Sequence, residues 1–152
     1  MRSGSAERRR RARVYAKAVV ATARQDGSWD DWERDQSILR AISREEPLRE
    51  FLENASLGLE QRLAVLGRLP IEQFGAQGRG MLRVLMEQRD LRLAADIEEL
   101  FLRAADAERR LDRIHITTAL PLNDDELSRL RAELAEPDRT LRLSTLVDPS
   151  IL

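Results

Sequence analysis

Apolar residues recur at three- and four-residue steps through the first two thirds of this chain and alternate with polar ones in the last third. From about Arg8 to Ala23, Val14, Tyr15, Ala18, Val19 and Thr22 follow the helical period with no Gly or Pro between them. Gln25-Asp26-Gly27 should end that helix, because Gly can take the left-handed conformation that closes one. Ser28, with Asp31 three residues on, reads as a capping box opening a second helix. Trp32, Ile38, Leu39 and Ile42 fit one buried stripe on it. Pro47 opens a short third helix carrying Leu48, Phe51 and Leu52. Leu59, Leu63, Leu66 and Leu69 mark a fourth, stopped by Pro70. Gly75, Gly78 and Gly80 lie in the approach to a fifth, which holds Met81, Leu82, Val84 and Leu85. A sixth runs from about Leu91 to Leu111, with Ile97, Leu100, Phe101 and Ala104 on one side.

After Leu111 the period shortens. Arg113 to Thr118 alternates and reads as a strand, as does Leu141 to Val147. Between them Asn123 and Glu126 form a capping-box start for a helix to about Ala135. The expected fold is mainly α: a disordered basic lead-in over residues 1–7, a six-helix bundle over 8–111, and a small strand–helix–strand α/β domain over 112–152. A unit of that last size has little surface to bury by itself.

Composition narrows the chemistry. Hydrophobic residues make up 42% of the chain and aromatics only 4%, so the core must be built from Leu, Val, Ile and Ala. The formal net charge of -1 argues against a whole surface given to nucleic acid. There is no cysteine, which excludes disulfides and thiolate sites. No apolar run approaches the ~20 residues needed to span a bilayer, and no signal-peptide stretch follows the basic N-terminus, so a cytosolic or peripheral protein without direct membrane insertion is expected. The sole histidine, His115, has no histidine or cysteine to pair with and reads as structural. The adjacent carboxylates Asp30-Asp31, Glu45-Glu46 and Asp124-Asp125 do not face one another on a helix, and negative charge in a first turn suits the macrodipole. Gly75-Ala76-Gln77-Gly78-Arg79-Gly80 lacks the order and the lysine of a phosphate loop. Catalytic, cofactor-binding and metal sites are therefore all expected to be absent.

Two features remain. Arg8-Arg9-Arg10-Arg11 with Arg13 is a sharp basic cluster, which could meet phosphates but reads first as a solvated helix turn. Positive charge at a helix N-terminus opposes the macrodipole, so it does not stabilise the helix. The second feature is apolar. Tyr15, Ala18 and Thr22 share a face of the first helix, and Met81, Val84, Leu85 and Gln88 share one of the fifth. By periodicity they are core positions; small residues beside a ring also leave room for a foreign helix to lie in a groove.

Several segments in order carry a family resemblance: Ala12-Arg13-Val14-Tyr15-Ala16-Lys17-Ala18, Trp32, Met81-Leu82-Arg83-Val84-Leu85, Thr117-Thr118-Ala119-Leu120-Pro121-Leu122 and Val147-Asp148-Pro149-Ser150-Ile151-Leu152. Together they resemble the delta subunit of bacterial F-type ATP synthase, the relative of the mitochondrial oligomycin-sensitivity-conferring protein. The resemblance implies a six-helix bundle that sits on the catalytic head and receives N-terminal helical segments of alpha subunits. It implies a C-terminal domain that grips the end of the b-subunit peripheral stalk. Such a chain is part of the stator, at the cytoplasmic face of the membrane, and makes or breaks no bonds. Carried over by position, the alpha-segment groove would use Tyr15, Ala18 and Thr22 on one wall and Met81, Val84 and Leu85 on the other, with Trp32 beside them. The family commonly places an arginine where this chain has Asp90, and no role is assigned to that turn. The family also continues past the Asp-Pro-Ser segment, so the C-terminal domain is expected to be incomplete, and its grip on the b subunit with it. The alternative is a helical-bundle RNA-binding protein that uses the arginine cluster; bases bound singly would call for aromatics spread among the basic residues, which the cluster lacks.

Overall fold

The computed structural model describes residues 2–152, with side chains from residue 4 onward. Seven α-helices and two strands follow in the order α1 (Arg2–Asp26), α2 (Trp29–Arg44), α3 (Glu46–Leu52), α4 (Leu59–Ala64), α5 (Ala76–Gln88), α6 (Ala94–Arg109), β1 (Leu111–Thr118), α7 (Asp124–Leu134) and β2 (Thr140–Val147). The mainly helical class with a small α/β end is as expected. The chain divides into two compact units, residues 1–103 and 104–152, and the division falls within α6.

In the first unit α1 begins at Arg2, not Arg8, so the lead-in expected to be disordered is helical from residue 2; Met1 lies outside the described residues. Part of the reason is tertiary: Arg8 donates from Nε to Asp96 and from Nη2 to the Arg92 carbonyl, both 3.0 Å away, which ties the early turns of α1 to the start of α6. Gly27 ends the helix at φ 66°. Ser28 stands before α2, but its hydroxyl makes no capping bond, so the expected capping box is absent. The fourth helix is shorter than its leucine spacing suggests and tightens into a 3-10 turn over Val65–Arg68. The sixth also opens on a 3-10 turn, Leu91–Leu93, and Leu111 belongs to β1 and not to the helix.

The core of this unit is aliphatic. Leu39, Leu52, Leu82, Leu85, Met86, Leu91, Ile97 and Phe101 are fully buried. Trp29 stacks on Phe101 at a 6.3 Å centroid distance and joins the start of α2 to α6. Buried and half-buried polar side chains serve helix ends. Arg62 donates to the Leu52 carbonyl at the end of α3 (2.8 Å), and Glu53 accepts from the Leu91 amide (2.9 Å).

In the second unit β1 and β2 are parallel, from Leu111 opposite Thr140 to Thr118 opposite Val147. The capping box expected before α7 is present. Asn123 Oδ1 accepts from the Glu126 amide and Glu126 Oε2 from the Asn123 amide, each at 2.9 Å. Half-buried Leu127, Leu130 and Leu134 lie along one face of α7, while Ile114, Ile116, Leu141 and Leu143 share a face of the sheet. Leu111 is the one buried residue in β1, α7 and β2 together. Asp106 takes both Nε and Nη2 of Arg113, fixing the last turn of α6 to the first strand.

Candidate functional site: an apolar groove between the first and fifth helices

The site lies in the first unit, where α1 and α5 stand apart enough to leave a depression of about 250 Å³. Its walls are Tyr15, Ala18 and Thr22 of α1 and Gln77, Met81 and Val84 of α5, with Trp32 of α2 also facing it. The side-chain sizes explain the opening. Ala18 carries only a methyl at the middle of the α1 wall, and Thr22 turns its hydroxyl back to the Ala18 carbonyl (3.0 Å), leaving its methyl for the groove. Val84 is 46% exposed at the groove wall.

Six of the seven residues named from sequence therefore border one concavity. Leu85 does not. It is fully buried, because successive helical residues are about 100° apart and a stripe through Gln77, Met81 and Val84 turns Leu85 into the core.

The base of the groove is held from α2. Gln36 Nε2 donates to Met81 Sδ at 3.1 Å, which fixes the flexible thioether. One turn earlier on the same helix, the Trp32 indole N–H is enclosed with no hydrogen-bond partner among the described residues, and Gln36 Oε1 is likewise without one.

The start of α5 is set by a residue that sequence reading missed. Asp35, 1% exposed, accepts from the Gly75 amide (2.9 Å) and the Gly78 amide (3.0 Å). A carboxylate from another helix thus occupies the helix N-terminus where an anion would sit, so the glycine-rich run binds a side chain of its own chain. Gly78 is required there: a Cβ would lie 2.4 Å from the Phe74 ring and 2.6 Å from Asp35 Oδ2. The signal in the sequence was an acidic residue in phase with the apolar stripe Trp32–Leu39–Ile42 of α2.

At the other end of the groove, Tyr15 donates its hydroxyl to Asp90 Oδ2 (2.8 Å), and Arg11 donates to the same oxygen. Asp90 is 6% exposed. Burial, and then the Asp90 carboxylate, raises the Tyr15 pKa above its ordinary 10, against a smaller opposing effect of Arg11. The hydrogen bond to Asp90 pins the ring at this end of the groove.

The other candidates fall elsewhere. His115 is exposed on β1 and its Nδ1 meets the Ser144 hydroxyl on β2. Asp30-Asp31 and Asp124-Asp125 lie in the first turns of α2 and α7, and Glu45-Glu46 at the start of α3. Within the arginine cluster, Arg8 is paired with Asp96 and Arg11 with Asp90. No helix among the described residues is long and apolar enough to cross a membrane.

Comparison with known proteins agrees with this architecture. Residues 12–152 match the family of the ATP synthase delta (OSCP) subunit. The chain is 34% identical over 146 residues to ATP synthase subunit delta of Myxococcus xanthus and 31% identical over 143 residues to that of Teredinibacter turnerae. It is 30% identical over 142 residues to that of a Marinomonas species. Each alignment takes in 93% of this chain and 80% of the relative. A helical bundle with an apolar cleft between its first and fifth helices, followed by a small α/β unit and matched over nearly its whole length, places this chain in the ATP synthase delta (OSCP) subunit family.

Proposed function

We propose that this chain is a non-catalytic stator subunit of F-type ATP synthase. It links the alpha/beta catalytic head to the b-subunit peripheral stalk and resists rotor torque during proton-driven ATP synthesis. The observation that carries this reading is the groove of Tyr15, Ala18, Thr22, Trp32, Met81 and Val84 in a chain of this family. Its occupant is the N-terminal helical segment of an alpha subunit, laid between α1 and α5 as a helix in a groove. The bundle of residues 8–111 serves the head, and residues 112–152 serve the b subunit. The protein works peripherally, at the cytoplasmic face of the membrane.

The energetics suit a stator. At roughly 25 cal/mol per Å² of apolar surface, several hundred Å² of buried contact yields on the order of 10 kcal/mol before association entropy is subtracted. A contact of this kind persists at high salt, whereas phosphate binding falls steeply with it. RNA binding through the arginine cluster is less favoured, because Arg8 and Arg11 are already engaged by carboxylates.

The test is calorimetric titration of the chain with a synthetic peptide of the alpha subunit's N-terminal segment. Saturable binding that survives high salt and is lost in Ala18→Asp is the expected result. Equal affinity of a folded Ala18→Asp variant would put the partner on another face.

A further inference from the structure

One turn from Tyr15 along α1 lies a second depression of about 320 Å³, lined by Glu7, Arg8, Arg11, Arg89, Asp90 and Arg92. The two are joined by a single oxygen: Asp90 Oδ2 receives both the Tyr15 hydroxyl of the groove wall and the Arg11 guanidinium of the second depression. The lining sets four guanidinium groups against two carboxylates. Arg8 and Arg11 are satisfied within the chain, by Asp96 and Asp90. Arg89 and Arg92 are exposed and have no carboxylate partner among the described residues.

Arg89 also holds an unusual backbone. It closes α5 in the left-handed region, at φ 57°, a place that ordinarily favours glycine. The guanidinium is therefore carried on a helix end by a residue that the local geometry does not ask for. Strained positions of this sort concentrate at binding sites.

We infer that the groove recognises a helix of bipartite character: an apolar stripe that lies between α1 and α5, and a carboxylate beyond it that enters the depression of Arg89 and Arg92. This rests on the helix-in-groove reading above and names the chemistry of the occupant. Tyr15 and Arg11 are one turn apart, so the acidic side chain belongs about one turn, roughly 6 Å, past the last apolar anchor. The apolar part provides most of the affinity. The carboxylate fixes which way the helix lies, because an acid at the opposite end would face no such arginine pair. Guanidinium groups suit this, offering a planar pair of donors to a carboxylate.

Three peptides built on the alpha subunit's N-terminal segment test it: one with two glutamates one turn beyond one end of the apolar stripe, one with them beyond the other end, and one with glutamines at both. Each is titrated calorimetrically into the full chain and into an R89Q/R92Q variant, whose substitutions are exposed and spare the fold. One acidic peptide should bind the unmodified chain about fivefold more tightly than the glutamine peptide, and the variant should erase that preference without weakening the glutamine peptide. Rising salt should shrink the same preference. If all three peptides bind the unmodified chain alike, or if the variant keeps the preference, the arginine pair is not part of the site and the apolar groove stands alone. If no peptide binds either protein, the groove reading itself fails, and this proposal with it.

Discussion

Asp35 sits fully enclosed between α2 and the first turn of α5, and its carboxylate replaces the cap that α5 lacks locally. Substituting Asp35→Ala would strand two backbone amides and should cost about 2–4 kcal/mol in chemical denaturation. The neighbouring glycines separate packing from propensity. Gly78→Ala must force a Cβ against Phe74 and Asp35, and a net loss of about 1–3 kcal/mol is expected despite the better helix former. Gly80→Ala meets nothing within 4 Å and should instead stabilise by up to about 1 kcal/mol. Glu98 gives a pH signature. It is buried against Arg40 at 3.0 Å, and burial raises its pKa above the ordinary 4.5, with Arg40 and Arg44 pulling the other way. A carboxyl with a raised folded pKa binds protons more readily in the native state, so its contribution to stability grows as pH falls through the range just above 4.5 and is lost as pH rises. Comparing melting of the unmodified chain with Glu98→Gln, the difference should shift in favour of the unmodified chain on acidification; a difference that does not change with pH would refute this account.

Helices α1 and α5 show how far a chain can be read without its partners in space. Local devices were legible in part: the capping box read at Ser28 and Asp31 does not form, but others do. Gly27 ends α1, and Asn123 with Glu126 opens α7, because each device is complete within four residues. Asn123→Ala should therefore cost about 1 kcal/mol and fray α7 first, visible as faster amide exchange in its opening turn. What was tertiary was not legible. Nothing near Gly75 announces that its amide is capped from Asp35, and nothing near Arg8 announces Asp96. For the groove, spacing gives the period of α5 but not which edge of the stripe is open: Val84 lines the concavity, while Leu85, about 100° further round the helix, is buried. Tyr15, Ala18 and Thr22 of α1 keep strict three- and four-residue steps and line the same concavity. Ala18 is exposed in the free chain. Ala18→Asp should leave the bundle's circular dichroism and melting unchanged within about 0.5 kcal/mol, while placing an unpaired charge against whatever fills the groove.

Across the molecule the two units are built to different standards. The bundle encloses a set of fully buried aliphatic side chains, whereas β1, α7 and β2 share one buried residue, Leu111, and leave Leu146 and Val147 exposed. Amides of β2 should exchange in a local opening well before those of α2 and α5, whose exchange should approach the global unfolding limit. The bundle is thus the part in which a preformed site can be kept rigid, and its groove is the claim on which the rest depends. The decisive measurement is titration of the whole chain with the alpha subunit's N-terminal segment, at low and high salt, beside Ala18→Asp. Because Trp29 is stacked on Phe101 away from the groove, a Trp29→Phe background lets Trp32 alone report the event. A saturable change in Trp32 emission that persists at high salt and disappears in Ala18→Asp is the predicted result. No change on adding the peptide, together with a salt-sensitive response to RNA, would contradict the stator reading and shift the site to the arginines of α1.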